Sequence, residues 1–443
     1  MTRARIVIVG GGFAGYHAAR TLSRLSRGRA DIALVNPTDY FLYLPLLPEV
    51  AAGVLDPRRV AVSLPESLPN VRLILGAAGG IDLDGRRVHW TDPDGGRGAV
   101  DYDRVVLAVG SVNRLLPIPG VNQHAHGFRG ISEALFLRDH TTRQFELADL
   151  SDDAVERAAR TTFVVVGAGY TGTEVVAQGV LYTDVLHARH PRLQGNRPRW
   201  LLLDLADRIL PELDHRLSRT AHAVLRSRGV DVRTGVSVQE ATPEGVRLTD
   251  GEFVPTRSLI WCVGVRPDPL VAELGFKTYR GRLVVDEYLT VPGHPEVYAV
   301  GDSAAVPDLT RPGELTPMTA QHAQRQGRRA AYNIAASFGQ GRRRPYKHHD
   351  LGFLVDLGGR QAAANPVGIP LSGLPAKVVT RGYHLLSLPG NRTRTASDWL
   401  LDAVLSRQVM QLGLVPPAAV RLECTAASAE PPPQSERTPS PGA

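Results

Sequence analysis

The sequence predicts an α/β fold built around two parallel sheets, on three observations. A short apolar strand, a glycine turn and an amphipathic helix start follow one another in RIVIVGGGFAGYHAARTL near the N-terminus. The same succession returns in TFVVVGAGYTGTEVVAQ from residue 162. Three further strands, in YDRVVLAVGS, TRSLIWCVGVRPDP and HPEVYAVGDSAAV, each run into a glycine. Strands that alternate with helices in this way build parallel sheets, and a glycine turn between the two is the mark of a Rossmann-like dinucleotide-binding domain. With 443 residues the chain is also too long for one ordinary core.

In the first unit Gly10, Gly12 and Gly15 stand in GxGxxG register, with Phe13 and Ala14 between them as further cofactor-contacting positions. The first glycine permits the tight turn, the second lets a pyrophosphate approach, and the third lets helix pack on strand. The next strand, DIALVN, ends at Asn36, where such folds usually carry an acid for a ribose hydroxyl; asparagine can accept one hydrogen bond there without charge. In the second unit Gly167, Gly169 and Gly172 repeat the register, and PRWLLLD ends at Asp204. A carboxylate there suits an adenosine ribose and repels a 2′-phosphate, which favours NADH over NADPH, although Arg208 follows four residues later. Gly110, Gly264 and Gly301 end the remaining strands, where backbone rather than side chain meets a cofactor. Asp302 follows Gly301 and either accepts from a ribityl hydroxyl of a flavin or caps a helix.

The formal charge of +7 does not point to nucleic acid, because only Lys277, Lys347 and Lys377 are lysines and the arginines are spread through every segment. Cys262 and Cys424 form no CxxC pair, so a disulfide framework is excluded and a reducing compartment is expected. The opening MTRARIVIVGGGFAG superficially resembles a secretion signal, but three glycines break its apolar run, which therefore reads as a buried strand. No stretch approaches the roughly 20 apolar residues needed to span a bilayer, so membrane contact is expected to be peripheral. No metal site is expected: His348 and His349 in KHHD are adjacent and are read as surface residues. No GxSxG hydrolase signature occurs. Residues 121–160 read as a helical connector with its charges on the exposed face.

The order GGGFAG, LAVGS, GAGYTGTE, CVGVRP, YAVGDSAAV and AQHAQRQG, with YFLYLPLLPEVAAG at 40–53, resembles the flavoproteins with two dinucleotide-binding domains. Within that pyridine nucleotide-disulfide oxidoreductase superfamily it resembles the type II NADH:quinone oxidoreductases, from about residue 5 to about residue 415. The resemblance implies FAD in the first unit and NADH in the second. It implies a discontinuous FAD domain of residues 1–120 and 276–338, a connector at 121–160 and an inserted NAD domain at 161–275. A cysteine pair beside the flavin is absent, which argues against disulfide reductase and sulfide:quinone chemistry. The implied reaction is hydride transfer from NADH to FAD and electron delivery to a membrane quinone, without proton pumping.

Glu174, two residues past Gly172, is the acid that the family's TGxE pattern brings near nicotinamide and flavin; a first-turn glutamate also stabilises a helix dipole with no catalytic role. In the family it resembles, the motif here written AQHAQRQG begins a helix whose positive end points at the flavin, which implies Gln321 beside flavin and quinone. The family's AQxAxQxG wants a second glutamine one turn later, and this chain has Arg325 there, between Gln324 and Gln326. Arg325 could donate to a quinone carbonyl, pair with a carboxylate and close the pocket, or simply belong to a polar helix face. Leu46 and its neighbours in LPLLPEV either wall the flavin region or pack in the core.

Residues 342–424 hold eleven Lys and Arg against five Asp and Glu, most of the chain's excess charge. Two candidate helices flank the basic turn GNRTR, and in the second Trp399, Leu400, Ala403, Val404, Arg407 and Met410 make a mostly apolar stripe. Such a helix can lie in the plane of an anionic membrane, bury against the flavin domain or form a homodimer interface. The resemblance favours the membrane, making 339–424 an association region of a cytoplasmic enzyme on the inner face of the cell membrane. The Pro/Ser-rich 425–443 is expected to be a disordered tail. The alternatives are a soluble NAD(P)H-dependent flavoprotein reductase serving a small redox protein, and a nucleotide sensor with weak flavin binding caused by Asn36.

Overall fold

Unbroken apolar runs such as Ile6–Val9 and Phe163–Val166 satisfy a strand only when both of its faces are covered. The structure, a computed structural model that describes residues 3–195, 197–420 and 422, covers them in that way. Ile8 and Val164 are fully buried. One six-stranded sheet runs in the order Thr290–Val291, His294–Ala299, Arg104–Leu107, Ala4–Val9, Ala30–Asn36 and Arg72–Leu75. Its neighbours pair in parallel except the first two. This sheet therefore draws its strands from two stretches of chain that flank the second sheet in sequence.

The second sheet has five strands, all parallel, in the order Ala125–Gly127, Ser258–Trp261, Thr162–Val166, Arg199–Asp204 and Asp231–Thr234. The first of these lies inside the stretch 121–160, which reads from sequence as a helical connector. That stretch does hold the helices Ile131–Leu150 and Ala154–Arg160, but the long one turns only part of its charge outward, Glu146 being exposed. Glu133, Asp139 and His140 on it are buried. The reason is that later chain crosses it: Asp139 Oδ2 accepts from the backbone N–H of Leu412 and Gly413 at 3.1 and 2.8 Å. Glu133 Oε2 accepts from the N–H of Arg129 and Gly130, ordering the start of its own helix.

The helix Phe13–Ser26 of the first unit packs along the helix Ala320–Ser337. Gly327 makes the close approach possible, because a Cβ there would stand 2.0 Å from the Ala14 carbonyl oxygen. Beyond it a small antiparallel sheet, Leu354–Asp356, Ala362–Ala364 and Leu371–Ser372, leads into the helices Gly373–Ser387 and Arg392–Val404.

The apolar stripe expected on the last helix is split. Trp399 turns inward, 5% exposed, and its Nε1 donates to Glu49 Oε2 at 2.5 Å. Leu400 and Val404 stay outside at 65% and 68%, and Arg407 and Met410 lie past the helix end. A buried carboxylate needs a donor, and the indole N–H supplies one, so Trp399 leaves the outer face. Among the described residues no helix is long and apolar enough to cross a membrane. Cys424 and the 425–443 tail lie outside the described residues.

Candidate active site

Three helices begin at the wall of one cavity of about 1240 Å³. Two start directly after glycine turns, with Gly12 and Gly169 as their N-caps; the third starts after Thr319, whose side-chain oxygen accepts from the His322 N–H. Free backbone N–H groups and the helix dipole make such ends receptive to anionic groups.

Each glycine turn divides its labour. Gly10 and Gly167 have φ of +98° and +100°, and a Cβ would meet the Ala108 and Cys262 carbonyl oxygens at 2.4 and 2.3 Å. Gly15 and Gly172 do not line the cavity; a Cβ on either would sit within 2 Å of the Gly10 or Gly167 carbonyl oxygen, so they serve helix-on-turn packing. Gly12, Gly110, Gly169 and Gly264 all line it, and a Cβ on any of them would meet nothing within 4 Å. The space before these four is open to an external group, the form that two bound dinucleotides require.

The two strand-end residues are occupied by their own turns. Asn36 Oδ1 accepts from the Gly11 N–H at 2.7 Å, while its Nδ2 donates to the Thr38 carbonyl. Asp204 accepts from the N–H of Ala168 at 2.5 Å and of Ala206 at 2.8 Å. Both still border the cavity, as do Phe13, Ala14, Gly301 and Asp302. Arg208 turns away to the carbonyls of Leu213 and Pro211 and does not line it. Asp302 Oδ2 accepts from the Ser111 hydroxyl at 2.6 Å. Leu44 and Leu47 line the wall, whereas Leu46 is buried in the core.

Glu174 also faces this cavity, but in the second turn of its helix rather than the first, which weakens any dipole role. Its Oε1 accepts from the Asp356 N–H at 2.9 Å. Burial, reinforced by the Asp356 and Glu49 carboxylates, holds its carboxyl well above the ordinary range. Behind it lies a buried ionic cluster: Lys377 Nζ bonds Asp356 and lies 3.9 Å from Glu49.

Gln321 lines the cavity and Arg325 does not. The Arg325 guanidinium turns back to the Gln321 carbonyl at 3.1 Å. Gln324 is half-buried, and Gln326 is consumed structurally between the Gly301 N–H and the Thr316 hydroxyl. His348, read from sequence as a surface residue, is half-buried: its Nε2 and the Leu351 N–H both contact Gln321 Oε1 at 2.9 Å. With its oxygen bonded twice, the Gln321 amide keeps its two N–H donors for other acceptors. Cys262 lies one residue past its strand and lines the cavity, and burial pushes its thiol up to about 12, so it is not a thiolate.

Residues that the sequence reading missed include Arg129, Tyr383 and His384, all on the cavity wall. Arg129 stands in the field of Asp302, Glu133 and Asp268. His384 Nδ1 meets the Tyr43 hydroxyl at 3.1 Å, across 341 residues of sequence. No local motif marks these positions.

The sequence profile described as pyridine nucleotide-disulphide oxidoreductase matches residues 4–327. The type II NADH:quinone oxidoreductase Ndh of Mycobacterium tuberculosis is 30% identical, covering 92% of this chain and 89% of its own length. NdhA of the same organism is 32% identical over 89% and 86%. Among solved structures, NDH2 from Plasmodium falciparum in complex with NADH superimposes with a TM-score of 0.86 at 17% identity, covering 92% of this chain and all of that one. The chain thus belongs to the pyridine nucleotide-disulphide oxidoreductase family and, within it, to the type II NADH:quinone oxidoreductases.

Proposed function

We propose that this chain oxidises NADH and reduces a membrane quinone from the single cavity on which three helix N-termini open, and that convergence carries the reading. FAD, when bound, would supply the redox chemistry that links NADH to the quinone. The turn Gly10–Gly15 with Gly110 and Asp302 holds FAD, and the turn Gly167–Gly172 with Asp204 and Gly264 holds NADH. Asn36 and Asp204 brace the two turns through the N–H groups of Gly11 and Ala168. Arg129 offers a cation to a cofactor phosphate. Gln321 donates its amide N–H to the quinone or the flavin edge. Glu174, whose carboxyl burial and the Asp356 and Glu49 carboxylates shift well above the ordinary range, is placed to exchange a proton within the cavity. Arg325 braces the first turn of its helix through the Gln321 carbonyl.

The exposed apolar side chains Val378, Leu386, Leu400, Leu401, Val404 and Leu405 support peripheral attachment of the C-terminal helices to the inner face of the cell membrane. A solution dimer that buries them would overturn that attachment. The test of the reaction is anaerobic reduction of the FAD-loaded protein by NADH, then rapid mixing with a soluble menaquinone or ubiquinone analogue. Prompt reoxidation, slowed in Gln321→Ala while reduction by NADH is unchanged, is the expected result. Fast reduction with sluggish reoxidation of the unaltered chain by every quinone would move the acceptor to a protein.

A further inference from the structure

A second cavity, of about 310 Å³, opens on the groove between the helices Phe13–Ser26 and Ala320–Ser337. It is lined by His17, Arg20, Thr21, Arg24, Arg328 and Tyr332, with Leu25 beside them, and shares no residue with the cofactor cavity. Several arginines elsewhere on the chain are matched by acids, as in Arg59–Asp398, Arg233–Asp231 and Arg257–Glu156. In this groove Arg20, Arg24 and Arg328 make no ion pair with any of the described residues, and Arg325 adds a fourth positive charge. The mutual repulsion lowers the pKa of Arg328, after burial, through Arg325, Arg20 and Arg24.

The floor is polar and unpartnered as well. His17 is 4% exposed, and its ring makes no hydrogen bond to the described residues; it meets Tyr16 and Phe41 edge-on, at centroid distances of 5.3 and 6.5 Å. Burial first, then Arg328, Arg20 and Arg325, push its pKa down to about 3, so the neutral ring retains one N–H donor. A polar ring with no hydrogen bond to the described residues and clustered guanidiniums without a counter-charge, of which Arg24 and Arg328 are exposed, leave their donors free for an anion with several acceptors.

We propose that this groove binds a phosphate group, carried by an acidic lipid headgroup or by a free phosphate ester. Guanidinium forks match the tetrahedral oxygens of phosphate in pairs, and the histidine N–H and the Thr21 hydroxyl complete the donor set. The volume lies at the small end of the roughly 300–1,000 Å³ typical of ligand pockets, enough for one headgroup rather than a dinucleotide. The proposal does not depend on quinone being the acceptor.

The experiment uses the full FAD-loaded chain with saturating NAD⁺, so that both dinucleotide sites are filled. Inorganic pyrophosphate is titrated calorimetrically into the wild type, into R20Q/R328Q and into the charge-matched R72Q/R97Q, whose arginines are exposed elsewhere. In parallel, flotation compares vesicles of phosphatidylglycerol with vesicles of phosphatidylcholine. R20Q/R328Q is expected to lose at least tenfold in phosphate affinity while FAD content and NADH affinity are retained. Loss confined to phosphatidylglycerol vesicles identifies the lipid as the source, and loss confined to pyrophosphate identifies a free ester. Equal behaviour of the two double variants in both assays overturns the proposal.

Discussion

Replacing Lys377 by methionine is expected to destabilise the protein by about 3–5 kcal/mol, the range for removing one partner of a buried ion pair. Lys377 is 3% exposed, and its Nζ bonds Asp356 and lies 3.9 Å from Glu49 Oε1. Methionine keeps most of the stem's volume, so little of the loss comes from a cavity. What remains is Asp356, 8% exposed, with Gln178 Nε2 at 3.3 Å and the Gly358 N–H at 2.7 Å on one oxygen and no described partner on the other. An unfolding entropy of about 2 cal/mol/K per residue scales to roughly 0.9 kcal/mol/K for a chain of this length, so the melting temperature should fall by about 3–5 °C. Differential scanning calorimetry of the FAD-loaded proteins measures it. Asp356→Asn alone should also destabilise, whereas Asp356→Asn within Lys377→Met should recover most of the loss, because both charges and both desolvation penalties then disappear together. A Lys377→Met protein melting within ~1 °C of the wild type, or a double variant as unstable as the two singles combined, would refute the reasoning.

Three further outcomes are expected. Burial, then the Asp356 carboxylate, push the Glu49 carboxyl from 4.5 up to about 7. A raised carboxyl binds its proton more tightly in the folded state, so its contribution is complete below the lower value and is lost as pH rises through the upper one. Glu49→Gln should therefore flatten the decline in urea midpoint across that window, and a decline parallel to the wild type would contradict the assignment. His348→Ala removes one of two contacts on Gln321 Oε1 and should slow reoxidation by a quinone analogue about 2- to 10-fold, the rate equivalent of one hydrogen bond. Reduction by NADH should be untouched, and equal slowing of both half-reactions would show a merely structural role. Gly327→Ala places a methyl 2.0 Å from the Ala14 carbonyl oxygen and should destabilise by about 1–3 kcal/mol. Because Ala14 follows the first glycine turn, FAD should be released at lower urea concentration; unchanged retention would count against the close approach.

The resemblance in sequence led to the family, and the reason is physical. A glycine that must adopt positive φ, or must leave room for a neighbouring carbonyl, is marked by its own residue type, so Gly10, Gly15, Gly167 and Gly172 announce both turns. Unbroken β-branched runs announce buried parallel strands for a similar reason. Gln321, Glu174 and Asp302 follow at fixed offsets from such landmarks. Arg129, His348 and His384 do not, because their sequence neighbours carry no pattern. His348 reads as surface because its partner is 27 residues upstream on another element. Trp399 reads as part of an outer stripe because periodicity knows the helix face but not the carboxylate waiting 350 residues earlier.

The sequence by itself determined the two strand–turn–helix units, their order and the residues that clear space at each turn. These depend on backbone conformation and on periodicities of two and 3.6 residues, all local. Only the tertiary structure decided that three helix N-termini open on one cavity, that Arg325 turns back from it and that Lys377, Asp356 and Glu49 share one buried cluster. It also decided which arginines are left unpaired in the outer groove. Charge pairing and burial depend on distance in space, and in a chain of 443 residues that distance is set by long-range packing rather than by spacing along the sequence.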